Sequence, residues 1–124
     1  MQLIDGPSSG TIGTPHLRAA IYARCGAVRQ SLRSIEDQWR NCRVRAGRDG
    51  LEVVEAFSDI AASGAVTGSG GLEAMLARAD EFDVIVIETL DRLGRDPAVA
   101  NAFRDRIETS GCELVISANV AAVP

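Results

Sequence analysis

The chain contains no lysine. All thirteen of its basic residues are arginine, seventeen acidic residues outnumber them, and the formal net charge is −4 with a pI near 4.9. A chain of this balance repels nucleic acid at long range, so any contact with DNA has to come from a local cluster of arginines. Arginine in place of lysine suits phosphate recognition, because a guanidinium fork grips two oxygens at once. A GC-rich genome, which favours Arg and Ala codons, explains the same bias and is the reading to prefer on composition alone. Histidine is reduced to His16, and Cys25, Cys42 and Cys112 are odd in number with no C-x-x-C pair, so neither a zinc site nor a disulfide framework is expected. A reducing cytoplasm fits best. Aromatic residues make up only 4% against 46% hydrophobic residues, which points to a core of small aliphatic side chains such as a parallel α/β sheet buries on both faces. The stretch 1–17 holds no lysine or arginine and no apolar run long enough for a signal peptide or an anchor, and no membrane partner is expected.

At 124 residues the chain suits one domain. Gly6, Pro7, Ser8, Ser9, Gly10, Gly13 and Pro15 mark 1–17 as a flexible arm, 18–118 as the domain and 119–124 as a tail. Arg18 to Ala23 reads as a buried strand, followed by a loop from Cys25 to Arg33. Ser34-Ile35-Glu36-Asp37 resembles a capping box and is expected to open a helix, whose apolar stripe is Ile35, Trp39, Cys42 and Ala46 and whose end is Gly50. A second strand spans Leu51 to Phe57. Ala61 to Gly71, made of small residues and glycine, is expected to move, and Leu72 to Asp80 forms a short helix. The β-branched run Asp83 to Glu88 reads as a central strand. Asp96-Pro97 is an N-cap and first helical residue, with the helix running to Ser110 and stopped by Gly111. Cys112 to Ser117 is the last strand. The order βαβαβαβ predicts an α/β fold, a doubly wound and mainly parallel sheet of four to five strands with flanking helices.

In such a sheet ligands bind beyond the carboxyl ends of the strands. Three polar groups fall there: Arg24 to Gln30, Asp59, and Asp91 with Arg92 and Arg95. Gathering three guanidinium groups is costly unless an anion or carboxylates compensate them. Two readings stay open on this ground, a phosphate site and a surface network in which Asp91 and Asp96 pair with the arginines. The basic stretch Arg29, Arg33, Arg40, Arg43, Arg45 and Arg48 reads as a solvated helix face, and Trp39 as core.

Tyr22-Ala23-Arg24, Gln30, Ser34-Ile35-Glu36-Asp37-Gln38, Phe57-Ser58-Asp59 with Ser63-Gly64, and Leu90-Asp91-Arg92-Leu93-Gly94-Arg95-Asp96 together resemble the signatures of the serine site-specific recombinases, the resolvase and invertase family. The resemblance runs from Arg18 to Ser117 and implies the resolvase-like catalytic fold. It implies a reaction in which a serine attacks a DNA phosphodiester, forms a phosphoserine linkage, and the ends are exchanged and rejoined within a tetramer, with arginines and no cofactor stabilising the transition state. By position, Arg24, Arg92 and Arg95 would contact the scissile phosphate, Asp91 would order the arginines or manage protons, and Gln38, Tyr22, Gln30 and Asp59 would support the site. DNA and further copies of the chain, as homodimer or homotetramer, are the implied partners.

The chain departs from the family pattern at two positions. Gly26 stands where the nucleophilic serine is expected, and Ser69 stands where the mobile loop usually carries an arginine. The resemblance therefore implies a catalytic domain without activity. Cys25 is a poor substitute, since neighbouring side chains of an extended segment point to opposite faces; Ser31 and Ser34 lie nearer the helix start and are not expected to replace it, Ser34 being better read as the helix cap. Family members continue past the last strand into a long helix and a DNA-binding domain, neither of which is seen in this sequence, so DNA binding is expected to be weak. The other reading is a non-catalytic interaction or regulatory module that keeps the recombinase fold.

Overall fold

A computed structural model describes residues 16–26, 31–60 and 70–118. Its first element, β1 (Leu17–Cys25), is a run of small and branched residues whose six side chains from Ala19 to Arg24 include five that are completely buried. The chain then forms α1 (Ser31–Arg48), β2 (Leu51–Ile60), α2 (Gly70–Ala77), β3 (Val84–Ile87), α3 (Pro97–Thr109) and β4 (Glu113–Ile116), with single 3₁₀ turns at Ala79–Glu81 and Leu90–Leu93. All strand pairs are parallel and the order is β2-β1-β3-β4.

Alternation along the strands divides the core into two layers. Ala20, Tyr22, Ile85 and Ile87 pack with Leu72 and Met75 of α2 and with Ala100 and Ile107 of α3. Ala19, Ile21, Val84 and Val86 pack on the other face with Cys42 and Trp39 of α1. The sheet is therefore wound on both faces, as the element order predicts. β3 is buried at all four positions, and each such aliphatic side chain stabilises the fold by roughly 1.5–3 kcal/mol relative to exposure. The Asp96 side chain accepts from Ala98 N at 2.9 Å, so α3 starts at the expected cap with Pro97 behind it. Gly111 leaves the helix with φ of 96°, a conformation that favours glycine.

Several boundaries differ from expectation. α1 starts at Ser31, so Ser34 is an interior residue and not the cap; its hydroxyl accepts from Gln38 Nε2 at 3.2 Å, and Glu36 and Asp37 fall outside the first turn. Ser31 to Arg33, expected in a loop, are helical, and Leu17, expected in the arm, already pairs with Leu51. β2 continues three residues past Phe57, to Ile60. α2 starts at Gly70 rather than Leu72 because an aspartate from β2 supplies acceptors for its first turn. The rest of the arm, the segment 61–69 and the tail 119–124 lie outside the described residues. No described helix is long and apolar enough to cross a membrane.

Candidate phosphate-binding site

From β1 the chain goes outward to β2 and returns to β3 on the other side of β1. The direction of winding thus reverses between β1 and β3, and the crevice beyond their carboxyl ends is where sheets of this kind take ligands. Gly26 directly follows β1, while Arg92 sits in the 3₁₀ turn just beyond β3 and Arg95 three residues further on.

The end of β1 is held by side chains. Its ladder to β3 stops at Tyr22↔Ile87, two residues short of Arg24. There Gln38, only 2% exposed, accepts from Arg24 N and donates to Arg24 O, both at 3.0 Å. The same carbonyl accepts from Arg92 Nη1 at 3.3 Å. Arg92 Nη2 donates to Glu88 Oε1, also at 3.3 Å, and Glu88 Oε2 accepts from Asn41 Nδ2 of α1 at 2.8 Å. Arg92 Nε is buried without a partner among the described residues.

Gly26 and Arg95 come together. A Cβ at Gly26 would lie 3.3 Å from Arg95 Nη2, and, chain neighbours aside, no other described residue approaches it within 4 Å. The Gly26 backbone lies outside the left-handed region, so a side chain can be carried there. Within the described residues neither the Arg24 nor the Arg95 guanidinium donates to a protein acceptor. Asp91 does not pair with these arginines; its carboxylate accepts a short hydrogen bond from the Thr89 hydroxyl. Asp96 is committed to capping α3. The carboxylate that neutralises an arginine of this cluster is Glu88, which sequence reasoning missed. The available signal was its spacing of four residues from Arg92.

Asp59 has a different task. Its Oδ1 accepts from Gly71 N at 2.8 Å, and its Oδ2 accepts from Leu72 N at 2.8 Å and from the Tyr22 hydroxyl at 2.7 Å. One carboxylate thereby ties β1, β2 and the amino end of α2. Burial, helped by the hydrogen bond to Asp59 and its negative charge, pushes the Tyr22 phenol well above its ordinary value, while the Arg24 charge opposes this. A Cβ on Gly71 would meet Ser58 O at 2.1 Å, so only glycine lets the helix come this close to β2. Cys25 is buried with Ala23 and Ile35 on the α1 side, away from the Tyr22 layer. Gln30 and Ser69 lie outside the described residues.

The family model described as the resolvase N-terminal domain matches residues 19–122. The chain belongs to this resolvase family. The Tn3 transposon resolvases of Escherichia coli and Klebsiella pneumoniae are each 38% identical over 78 residues, which is 62% of this chain and 37% of theirs. The match thus spans little more than a third of the curated relatives' length. Among solved structures, the C-terminal catalytic domain of ISC1926 TnpA, an IS607-like serine recombinase, superposes with a TM-score of 0.72 at 29% identity, covering 85% of this chain and 73% of that one. The N-terminal catalytic domain of TP901-1 integrase superposes with a TM-score of 0.70 at 22% identity, covering 81% and 77% respectively, and shares the fold. The resolvase-like sheet expected from the motifs is thus the one this chain adopts, and the chain is a serine recombinase catalytic domain by family.

Proposed function

We propose that this domain serves site-specific DNA recombination as a phosphate-binding but catalytically inactive member of its family. Arg24, Arg92 and Arg95 receive a backbone phosphate of DNA, and Gln38 fixes the strand end that carries Arg24. Gly26 occupies the place of the attacking serine. The observation that carries this reading is the approach of Arg95 to Gly26: the direction a side chain would take from Gly26 leads to a guanidinium that no described carboxylate neutralises. Loss of the nucleophile in a covalent enzyme costs on the order of a millionfold in rate. That is about 8 kcal/mol of barrier, more than the remaining arginines replace. The partners are DNA and other copies of the chain, in the cytoplasm.

The test is a titration of inorganic phosphate and of a short phosphodiester, followed by amide and arginine side-chain NMR signals. Saturable shifts confined to Arg24, Gly26, Arg92 and Arg95 are expected. Unmoved signals in a folded domain would leave the cluster a surface ion network and favour an interaction module that keeps the fold without the phosphate pocket.

A further inference from the structure

Among the described residues, Glu88 is the carboxylate that engages a guanidinium of the arginine cluster. It directly follows β3 and is only 23% exposed, so its charge is poorly screened. One of its oxygens is anchored by Asn41 at 2.8 Å, whereas the other meets Arg92 at 3.3 Å. Both side-chain hydrogen bonds that Arg92 makes among the described residues are at this longer distance, and its Nε is buried with no acceptor among them. A charge-assisted N–H···O bond is ordinarily about 2.7–2.9 Å long. Arg92 is therefore held by an anchored carboxylate in a position that leaves its donors underused. A phosphate, which can take two parallel bonds from the fork, offers a better fit.

We propose that Glu88 is a positioning residue that restrains Arg92 and lowers the affinity of the arginine cluster for phosphate, so that an arriving anion must displace a carboxylate before Arg92 turns to it. The proposal rests on the phosphate reading above. Its strength follows from the environment: an ion pair at this exposure weakens a competing anion by a modest factor, not by orders of magnitude. Glu88→Gln keeps the length of the side chain and an acceptor oxygen while removing the charge.

The experiment is a titration of inorganic phosphate into the wild-type chain, Glu88→Gln, Arg92→Ala and the double variant, read by NMR, with the amide spectrum of each reporting the fold. Glu88→Gln is expected to bind phosphate about three- to ten-fold more tightly than wild type, and this gain should vanish in the Arg92→Ala background. Unchanged or weaker binding by Glu88→Gln, with wild type binding normally, overturns the proposal and leaves the phosphate site intact. A gain that persists undiminished without Arg92 also overturns it, because it would be a general field effect. Absence of binding by every form overturns the site and the proposal together. If Glu88→Gln does not fold, Asn41→Ala loosens the same carboxylate and should shift affinity in the same direction by a smaller factor; no shift there counts against the proposal.

Discussion

Replacing Asp59 with alanine should destabilise the domain by about 2–4 kcal/mol, with two separable parts. The first is the cap of α2, where the carboxylate accepts from Gly71 N and Leu72 N at 2.8 Å; loss of such a cap typically costs about 1 kcal/mol. The second is the Tyr22 hydroxyl, fully buried and bonded to Asp59 at 2.7 Å. Left without an acceptor, a buried donor costs about 1–3 kcal/mol. Urea denaturation of wild type, Asp59→Ala, Tyr22→Phe and the double variant resolves the parts. With the hydroxyl already removed, Asp59→Ala should cost only the cap, so the coupling energy should be about 1–3 kcal/mol. In a domain of this size each kcal/mol moves the thermal midpoint by roughly 4–8 °C, so Asp59→Ala should melt more than 8 °C below wild type. A loss under about 0.5 kcal/mol with an unchanged denaturant slope would refute the bracket between β1, β2 and α2.

Two further outcomes follow from the same geometry. Stability should be flat near neutral pH and fall as pH rises above about 9, because burial, with the Glu88 charge adding to it, pushes the Cys42 thiol from 9.0 up to about 12 in the folded state, and Tyr22 is raised above 10.0 as well. Between the unfolded and folded values the unfolded chain has lost a proton that the folded chain keeps, so each group takes away at most about 1.4 kcal/mol per pH unit. Cys42→Ala should delay the onset by about one pH unit in denaturation curves from pH 7 to 11, and an onset that does not move would contradict this. Gly26→Ser should fold with a stability change under about 1 kcal/mol, since among the described residues its Cβ meets the movable end of Arg95 and no backbone. Incubated with supercoiled plasmid and quenched with detergent, it should give no covalent protein–DNA adduct if, as the resemblance implies, Ser69 stands in place of a second required residue, the loop arginine; an adduct that survives denaturation would overturn this.

What was legible in the sequence was whatever a local rule dictates. The short β-branched run Val84–Ile87 favours a strand buried on both faces, and Asp96-Pro97 supplies the cap and first residue of a helix; the fold uses both so. The start of α1 was misread because Ser34-Ile35-Glu36-Asp37 satisfies a capping pattern locally. In the fold the Ser34 hydroxyl instead supports Gln38, whose partner is a backbone fourteen residues away. The site divides the same way. Arg24, Arg92 and Arg95 were visible as motif residues, and the place of Gly26 among them follows from β1. Glu88 was hidden as the polar end of an apolar run, and Gly71 as one glycine among several. Gly71 owes its importance to the close approach of α2 to Ser58 of β2, which no spacing rule encodes. Glu88 stands four residues before Arg92, a spacing that pairs such side chains, and only its hold on Asn41 of α1 is supplied by the fold.

The Gln38 side chain has a consequence for what this position can tolerate. A primary amide is the smallest side-chain group that carries a donor and an acceptor side by side, as a peptide unit does. Beyond the last rung between β1 and β3, that amide stands in for the absent strand residue opposite Arg24. Glutamate offers no donor, asparagine falls one methylene short, and lysine or arginine offers no acceptor. The sheet is in effect extended by one rung supplied from a helix, and the orientation of Arg24 is thereby made a property of α1 as much as of the strand on which Arg24 lies.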